Sequence, residues 1–288
     1  MKIAHAASQL ERQPRAVAIG AFDGVHLGHR AVIETAIATG LAPTVVTFDP
    51  HPRIALGNRV EMLCTLERRL ELLAAVGVEG TVVASFSDEL MQLEPEQFAE
   101  TWLRALGAEV VVAGSDFRFG RRRSGDLATL ERLGFEVIEA PEVEGISSSG
   151  IRHCLHDGDI DGAARMLGRP PELDGVVVAG DQRGGTLGFP TANLALDPYL
   201  LVPRYGIYAG ATLGRRAAIS VGTNPHYGGE ELRIEPYLLD FEGDLYGTRL
   251  VVELWERLRD ERAFPSEEAL VAQIADDVER TRAAVRPC

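Results

Sequence analysis

Ala18-Ile19-Gly20-Ala21-Phe22-Asp23-Gly24-Val25-His26-Leu27-Gly28-His29 joins a short apolar strand to the start of a helix through a glycine-rich turn that carries two histidines. Gly24 and Gly28 let backbone amides come close to a ligand. The helix opening near Gly28 offers unpaired N–H groups, and its dipole favours an anion. The stretch reads as a phosphate-binding turn of an α/β domain, to which His26 and His29 add donors. Asp23, His26 and His29 are also spaced to suit a divalent metal, so two ligand chemistries are open at this turn.

Working outward, short β-rich runs at 17–19, 44–48, 81–86, 110–113 and 136–139 alternate with amphipathic stretches. Leu66, Leu70 and Leu73 recur at helical spacing, and Pro95 opens a second helical run. This βαβα order predicts a doubly wound parallel sheet, in which ligands bind beyond the carboxyl ends of the strands. Residues 23–29, 49–53 and 116–120 all fall there. Past Ile151 the pattern changes, through helical turns at 152–156 and 159–167, into Gly168-Arg169-Pro170-Pro171. The boundary is placed here, giving domains 1–169 and 170–288. Beyond it, strands at 176–179, 207–212, 216–221, 233–241 and 249–255 are separated by turn residues, and a helix runs from about Ser266 to about Arg282. A small antiparallel β-barrel with a terminal helix is the predicted architecture.

Composition narrows the function. The 288 residues are 45% hydrophobic and carry a net charge of -14, which speaks against nucleic acid or a membrane surface as partner. Cys64, Cys154 and Cys288 are too scattered for a disulfide framework, no C-x-x-C pair suggests zinc, and no stretch reaches the apolar length of a membrane span. A reducing, cytoplasmic setting is expected, and no motif speaks for or against an oligomer. Lys2 is the only lysine, so any phosphoryl transfer must hold its phosphates without a Walker A lysine.

Three further segments carry candidate chemistry in the first domain. Thr47-Phe48-Asp49-Pro50-His51-Pro52-Arg53 fixes His51 and Arg53 on a stiff turn, or is simply a rigid loop. Gly114-Ser115-Asp116-Phe117-Arg118-Phe119-Gly120 sets a carboxylate beside two aromatics suited to holding a ring, and the following Arg121-Arg122-Arg123 is either functional or a solvated loop. Ile146-Ser147-Ser148-Ser149-Gly150-Ile151-Arg152 places hydroxyls at a helix start, as ordinary caps or as a second triphosphate anchor.

In the second domain Gly180, Gly184, Gly185 and Gly188 form a flexible run ending in Phe189-Pro190-Thr191-Ala192-Asn193. The Thr191 hydroxyl and Asn193 amide can share a Mg²⁺ ion and a phosphate. In Arg233-Ile234-Glu235-Pro236-Tyr237-Leu238-Leu239-Asp240-Phe241, strand alternation puts Glu235 with Tyr237, Leu239 and Phe241. A carboxylate on so apolar a face is either a general base for an alcohol or a barrel-mouth residue paired with an arginine.

H-x-G-H with I-S-S-S-x-x-R resembles the nucleotidyltransferase superfamily. More narrowly, F-D-G-V-H-x-G-H, T-F-D-P-H-P, D-F-x-F-G and I-S-S-S resemble the FMN adenylyltransferase module of bifunctional riboflavin kinase/FAD synthetases. The P-T-A-N turn, Val221-Gly222-Thr223-Asn224-Pro225, Leu245-Tyr246-Gly247 and Leu258-Arg259 through Phe264 resemble the riboflavin kinase module.

The resemblance implies Mg²⁺-ATP as co-substrate in two steps, riboflavin to FMN and FMN to FAD. It implies His26, His29 and Arg152 acting on the departing pyrophosphate, with Gly20, Phe22, Asp23, Gly24, Gly28, His51, Asp116, Phe117, Phe119, Ser148 and Ser149 binding nucleotide or flavin. In the barrel it implies Glu235 as base, Thr191 and Asn193 on Mg²⁺, and Gly180, Gly185, Gly188, Pro190 and Arg259 around the substrates. Two positions depart from the family pattern: His226-Tyr227 stands for the usual Thr-Phe, and Gly145 for a basic residue before I-S-S. Retention of one activity alone, or a flavin-binding carrier without turnover, are the alternatives.

Overall fold

The computed structural model describes residues 1–179, 189–223 and 232–287. Its strands are β1 (Lys2–Ala4), β2 (Arg15–Ile19), β3 (Ala42–Asp49), β4 (Gly80–Ser85), β5 (Ala108–Ala113), β6 (Glu136–Glu139), β7 (Glu172–Val178), β8 (Asn193–Leu196), β9 (Gly206–Thr212), β10 (Arg215–Thr223), β11 (Leu232–Leu238) and β12 (Arg249–Arg259). The α-helices are α1 (Leu27–Ala38), α2 (Pro52–Ala55), α3 (Leu66–Val76), α4 (Asp88–Gln92), α5 (Pro95–Phe98), α6 (Leu127–Arg132), α7 (Ser148–Asp157), α8 (Ile160–Leu167) and α9 (Glu267–Ala283). They form two compact units, residues 1–60 with 66–146, and residues 61–65 with 147–288.

The first unit is a six-stranded, wholly parallel sheet of order β1-β4-β3-β2-β5-β6. Its central strand shows why the sequence reads as a continuous apolar run. Val17 and Ile19 enter one core with Phe98, Leu103 and Leu130, whereas Ala16 and Ala18 enter another with Ile33, Ala36 and Leu73. Both faces of the sheet are buried, as parallel sheets require. The chain runs from β2 outward to β3 and β4, then returns to pair β5 on the other side of β2. That reversal leaves a crevice beyond the carboxyl ends of β2 and β5. The edge strand β1 was not predicted, because three residues carry too little alternation to read.

The second unit is an antiparallel sheet of order β11-β10-β9-β12-β7-β8. It comes close to closing as a barrel, since Ala192, at the mouth of β8, donates its N–H to Pro236 O of β11 at 3.0 Å. Leu213 and Gly214 make the two-residue β9–β10 turn with φ of 51° and 71°, the mirror-image geometry that matches strand twist. The sequence places the boundary after residue 169, whereas the compact division falls between 146 and 147. The reason is packing: Ile151, Cys154, Leu155, Ile160, Ala163 and Leu167 of α7 and α8 share one core with Leu173, Val177, Tyr208 and Ile219 of the barrel.

Candidate functional site

The turn between β2 and α1 is held in a costly conformation. Phe22 and Val25 have φ of 50° and 41°, and Gly24 has 79°. A β-branched residue in the left-handed region is a genuine outlier, and each such residue costs on the order of 1–2 kcal/mol. Such strain persists where the surroundings over-determine it, often at ligand sites. Here Phe22 is buried with its ring beneath Gly20, where a Cβ would lie 3.2 Å from the ring, and Val25 is buried too. Asp23 is 2% exposed.

The turn delivers the histidines as a stacked pair, ring centroids 3.6 Å apart and 16° from parallel, with Phe22 edge-on to His29 at 5.3 Å. His26 is the N-cap of α1, its Nδ1 accepting the His29 N–H at 3.3 Å. Its Nε2 therefore carries the proton of the neutral ring. Gly28 makes room, since a Cβ there would meet the His26 ring at 3.2 Å.

Burial, then the charges of His26, Arg69 and His51, hold the His29 imidazole well below its ordinary value of 6.5. His29 is thus an uncharged hydrogen-bonding group at neutral pH. Its Nδ1 is buried with no hydrogen-bond partner among the described residues, an orphan that a ligand would satisfy. The alternative of a metal at Asp23, His26 and His29 finds no support, because among the described residues no three His, Cys, Asp or Glu side chains converge as a metal site.

The depressed His29 value has a consequence for stability. Between the folded value and 6.5 the unfolded chain binds a proton that the folded chain does not, so stability falls as the pH drops below about 6.5, by at most about 1.4 kcal/mol per pH unit. Calorimetry from pH 7 to pH 5 is expected to show a falling melting temperature, with a shallower fall in His29→Gln.

His51 caps α2 by accepting the Arg53 N–H on Nδ1 at 3.1 Å, which fixes the ring that acts on His29. In the loop after β5, Asp116 is exposed and folds back over Gly114. Phe119 is buried against Phe98 and Gly125, and Phe117, half-buried, stacks on it at 5.6 Å. Phe119 belongs to the core that also holds Phe98, Leu103 and Leu130. Arg121 ion-pairs with Glu94 at 3.1 Å on the surface, as a solvated loop would.

In the second unit Ser147 is the cap of α7, accepting the Gly150 N–H at 3.0 Å. Ser148, Ser149 and Arg152 lie in the first turns of that helix, and Arg152 Nε donates to Glu61 O at 2.6 Å. Gly145 has φ of 75° with open space about it.

The sequence missed Arg69. It sits on α3 at a position of the apolar stripe Leu66, Leu70, Leu73, is 2% exposed, and donates from Nη1 to Phe48 O at 3.0 Å and Thr47 Oγ1 at 3.3 Å. A charged residue on the buried face of a helix was the signal available to find it.

The barrel corrects the reading of Glu235. Ile234, Pro236 and Leu238 face the core, whereas Glu235 and Tyr237 are half-buried on the other side. Leu239 and Phe241 do not extend that face, because β11 ends at Leu238 and Asp240 turns the chain at φ 56°. Glu235 stands opposite Ser220 of β10, its side chain 30% exposed and 3.8 Å from Arg233 Nη1. Tyr237 is edge-on to Phe189 at 5.4 Å. Glu261 carries a second carboxyl near Glu235; burial, more than the Glu235 charge, raises its pKa, opposed by Arg259. Pro190 is exposed, and Thr191 and Asn193 are half-buried at the start of β8. Their hydroxyl and amide oxygens are hard donors of the kind Mg²⁺ takes alongside phosphates and waters. Gly180, Gly185 and Gly188, like His226 and Tyr227, lie outside the described residues.

Arg259 is committed to α9. It grips the buried Asp277 through Nε at 3.0 Å and Nη2 at 2.7 Å. Removing one partner of a buried pair leaves an uncompensated charge. Asp277→Ala is expected to lose about 3–5 kcal/mol in denaturant unfolding of the barrel; loss within the range of exposed pairs, below about 1 kcal/mol, would mean α9 docks without the pair.

A FAD synthetase family model matches residues 8–151 and a riboflavin kinase family model matches residues 167–285. Bifunctional riboflavin kinase/FMN adenylyltransferases are 37% identical in Listeria monocytogenes, over 93% of this chain and 92% of the relative, and 34% identical in Escherichia coli K12, over 95% and 93%. A crystal structure from Streptococcus pneumoniae, described as a macrolide-efflux protein, superposes with a TM-score of 0.86 at 33% identity, covering 97% of this chain and 98% of that one. Among the described residues of the present chain no helix is long and apolar enough to cross a membrane. With both modules matched in order and full-length relatives above 30% identity, the chain belongs to the bifunctional riboflavin kinase/FMN adenylyltransferase family.

Proposed function

We propose that the two reactions of the family are divided between residues 1–169 and 170–288 as follows, the observation carrying the assignment being the strained β2–α1 turn that presents an uncharged, unsatisfied His29 on the sheet's ligand side. In the amino-terminal domain an FMN phosphate oxygen attacks the α-phosphorus of ATP. The new P–O bond forms as the α–β bridge breaks, giving FAD and pyrophosphate. No protein nucleophile is needed, so the residues contribute position and polarity. His26 and His29 donate hydrogen bonds to phosphate oxygens. Phe117 supports a ring, and Asp23, Gly24 and Gly28 shape the turn. Ser148, Ser149 and Arg152 take the triphosphate role that the I-S-S-S-x-x-R resemblance implies.

In the barrel the ribityl 5′-hydroxyl attacks the γ-phosphorus, ADP leaves, and Glu235 takes the hydroxyl proton. Thr191 and Asn193 are the residues that would hold Mg²⁺, which when bound screens phosphate charge. Arg259, fixed by Asp277, contributes a cation whose direction is set before substrate arrives. Cys64 and Cys154 are buried and unbridged, in keeping with a reducing, cytoplasmic setting. The acidic chain takes small molecules, not nucleic acid, as partners.

The direct test is to incubate the protein with riboflavin, ATP and Mg²⁺ and to resolve the flavins over time. FMN rising and then giving way to FAD is expected. Riboflavin left unchanged, with supplied FMN also untouched, overturns the proposal in favour of binding without turnover.

A further inference from the structure

Arg69 is a buried guanidinium whose surroundings do not account for its charge. Among the described residues its hydrogen bonds go only to Thr47 Oγ1 and Phe48 O, both through Nη1, and neither acceptor is a carboxylate. Nε is buried with no hydrogen-bond partner. Arginines are almost never fully buried unless paired, and a buried charge left alone is expensive.

Its location gives the charge a purpose. Thr47 and Phe48 end β3, beside the carboxyl end of β2. Thr47 Oγ1 in turn donates to Ala21 O at 3.1 Å, inside the strained turn. A continuous chain of hydrogen bonds thus runs from α3 through β3 to the backbone that carries His26 and His29.

We propose that Arg69 is a positioning residue of the adenylyl-transfer site, tethering the β2–α1 turn through Thr47 and setting beneath it a fixed positive charge for which a polyphosphate group is the counter-ion. This rests on the assignment of FMN adenylylation to the first unit. His29 does not supply that charge: burial first, then its electrostatic neighbours, Arg69 among them, hold its imidazole well below 6.5. His26 spends Nδ1 as a cap acceptor. A charge already oriented needs no reorganisation as the pyrophosphate departs.

The test uses the full chain, with Arg69→Gln and Arg69→Lys. Arg69→Gln is expected to slow FAD formation from FMN by about 10²-fold, while riboflavin phosphorylation by the same molecule is unchanged. In NMR titrations without nucleotide, His29 is expected to protonate at higher pH in Arg69→Gln than in the parent. Arg69→Lys, which keeps the charge, restores most of the rate and the parental His29 titration. Equal impairment of both variants with His29 unmoved, or an Arg69→Gln enzyme that adenylylates normally, overturns the proposal.

If Arg69→Gln does not fold, the parent protein carries the test through its Arg69 Nε–H resonance during titration with inorganic pyrophosphate. A saturable shift supports the counter-ion role, and no response overturns it. A parent that binds pyrophosphate at Arg69 yet makes no FAD from FMN would count against the functional assignment and not against Arg69.

Discussion

Glu235→Gln is expected to lower kcat for riboflavin phosphorylation by about 10²–10⁴-fold, the usual contribution of a general base, and to leave FAD formation from supplied FMN unchanged. The amide keeps the shape and one acceptor of the carboxylate but cannot take a proton at neutral pH. The loss should fall on kcat with KM for riboflavin nearly unchanged, because the interaction removed is one made in the transition state. The Arg233 pair itself contributes little to stability: it is long at 3.8 Å and both side chains are partly exposed, a setting in which ion pairs contribute about 0–1 kcal/mol. The competing account, a barrel-mouth carboxylate held for its arginine, predicts instead a slightly lower melting temperature with FMN production intact. Measuring flavins by chromatography alongside a thermal melt separates the two.

How far such assignments were legible in the sequence depended on whether the signal was local. The β2–α1 turn was readable because its glycines, histidines and flanking apolar run lie within 12 consecutive residues, and local spacing dictates local geometry. The antiparallel barrel was readable from short strands punctuated by turns. The reading of Glu235 rested on a strand drawn too long. Alternation along β11 was read correctly, but the strand was carried three residues too far, so a positive φ at Asp240 removed Leu239 and Phe241 from the face assigned to them. The packing of Phe119 against Phe98 was hidden, because nothing local distinguishes a ring that stacks on substrate from one that joins the core. The placing of α7 and α8 with the barrel core was equally hidden, since an amphipathic helix shows that it has an apolar face but not which core receives it. Arg69 was the one case in which the sequence held the signal unread: an arginine in register with three leucines has to be buried or break the stripe.

His29→Ala is expected to produce the converse enzyme, with FAD formation from FMN slowed by about 10²–10³-fold, the cost of losing one preorganised donor, and riboflavin phosphorylation preserved. The argument turns on the protonation state. Because burial and the charges around it hold His29 uncharged, what the ring offers a phosphate is a hydrogen bond in a fixed direction, set by stacking on His26 at 3.6 Å and by the edge contact with Phe22. Direction, not charge, is then what a replacement must reproduce. His29→Gln, which retains an N–H donor, should recover part of the rate, and His29→Lys, which brings charge without direction, should not. Recovery by lysine and not by glutamine would mean that the site needs a cation at this position, and that Arg69 does not already provide one. Mixing His29→Ala with Glu235→Gln in one vessel supplies the remaining check. FMN made by the first can be adenylylated by the second, so FAD should form from riboflavin much faster than with either variant alone; no such gain, with both single activities intact, would require FMN to pass between the two sites without release.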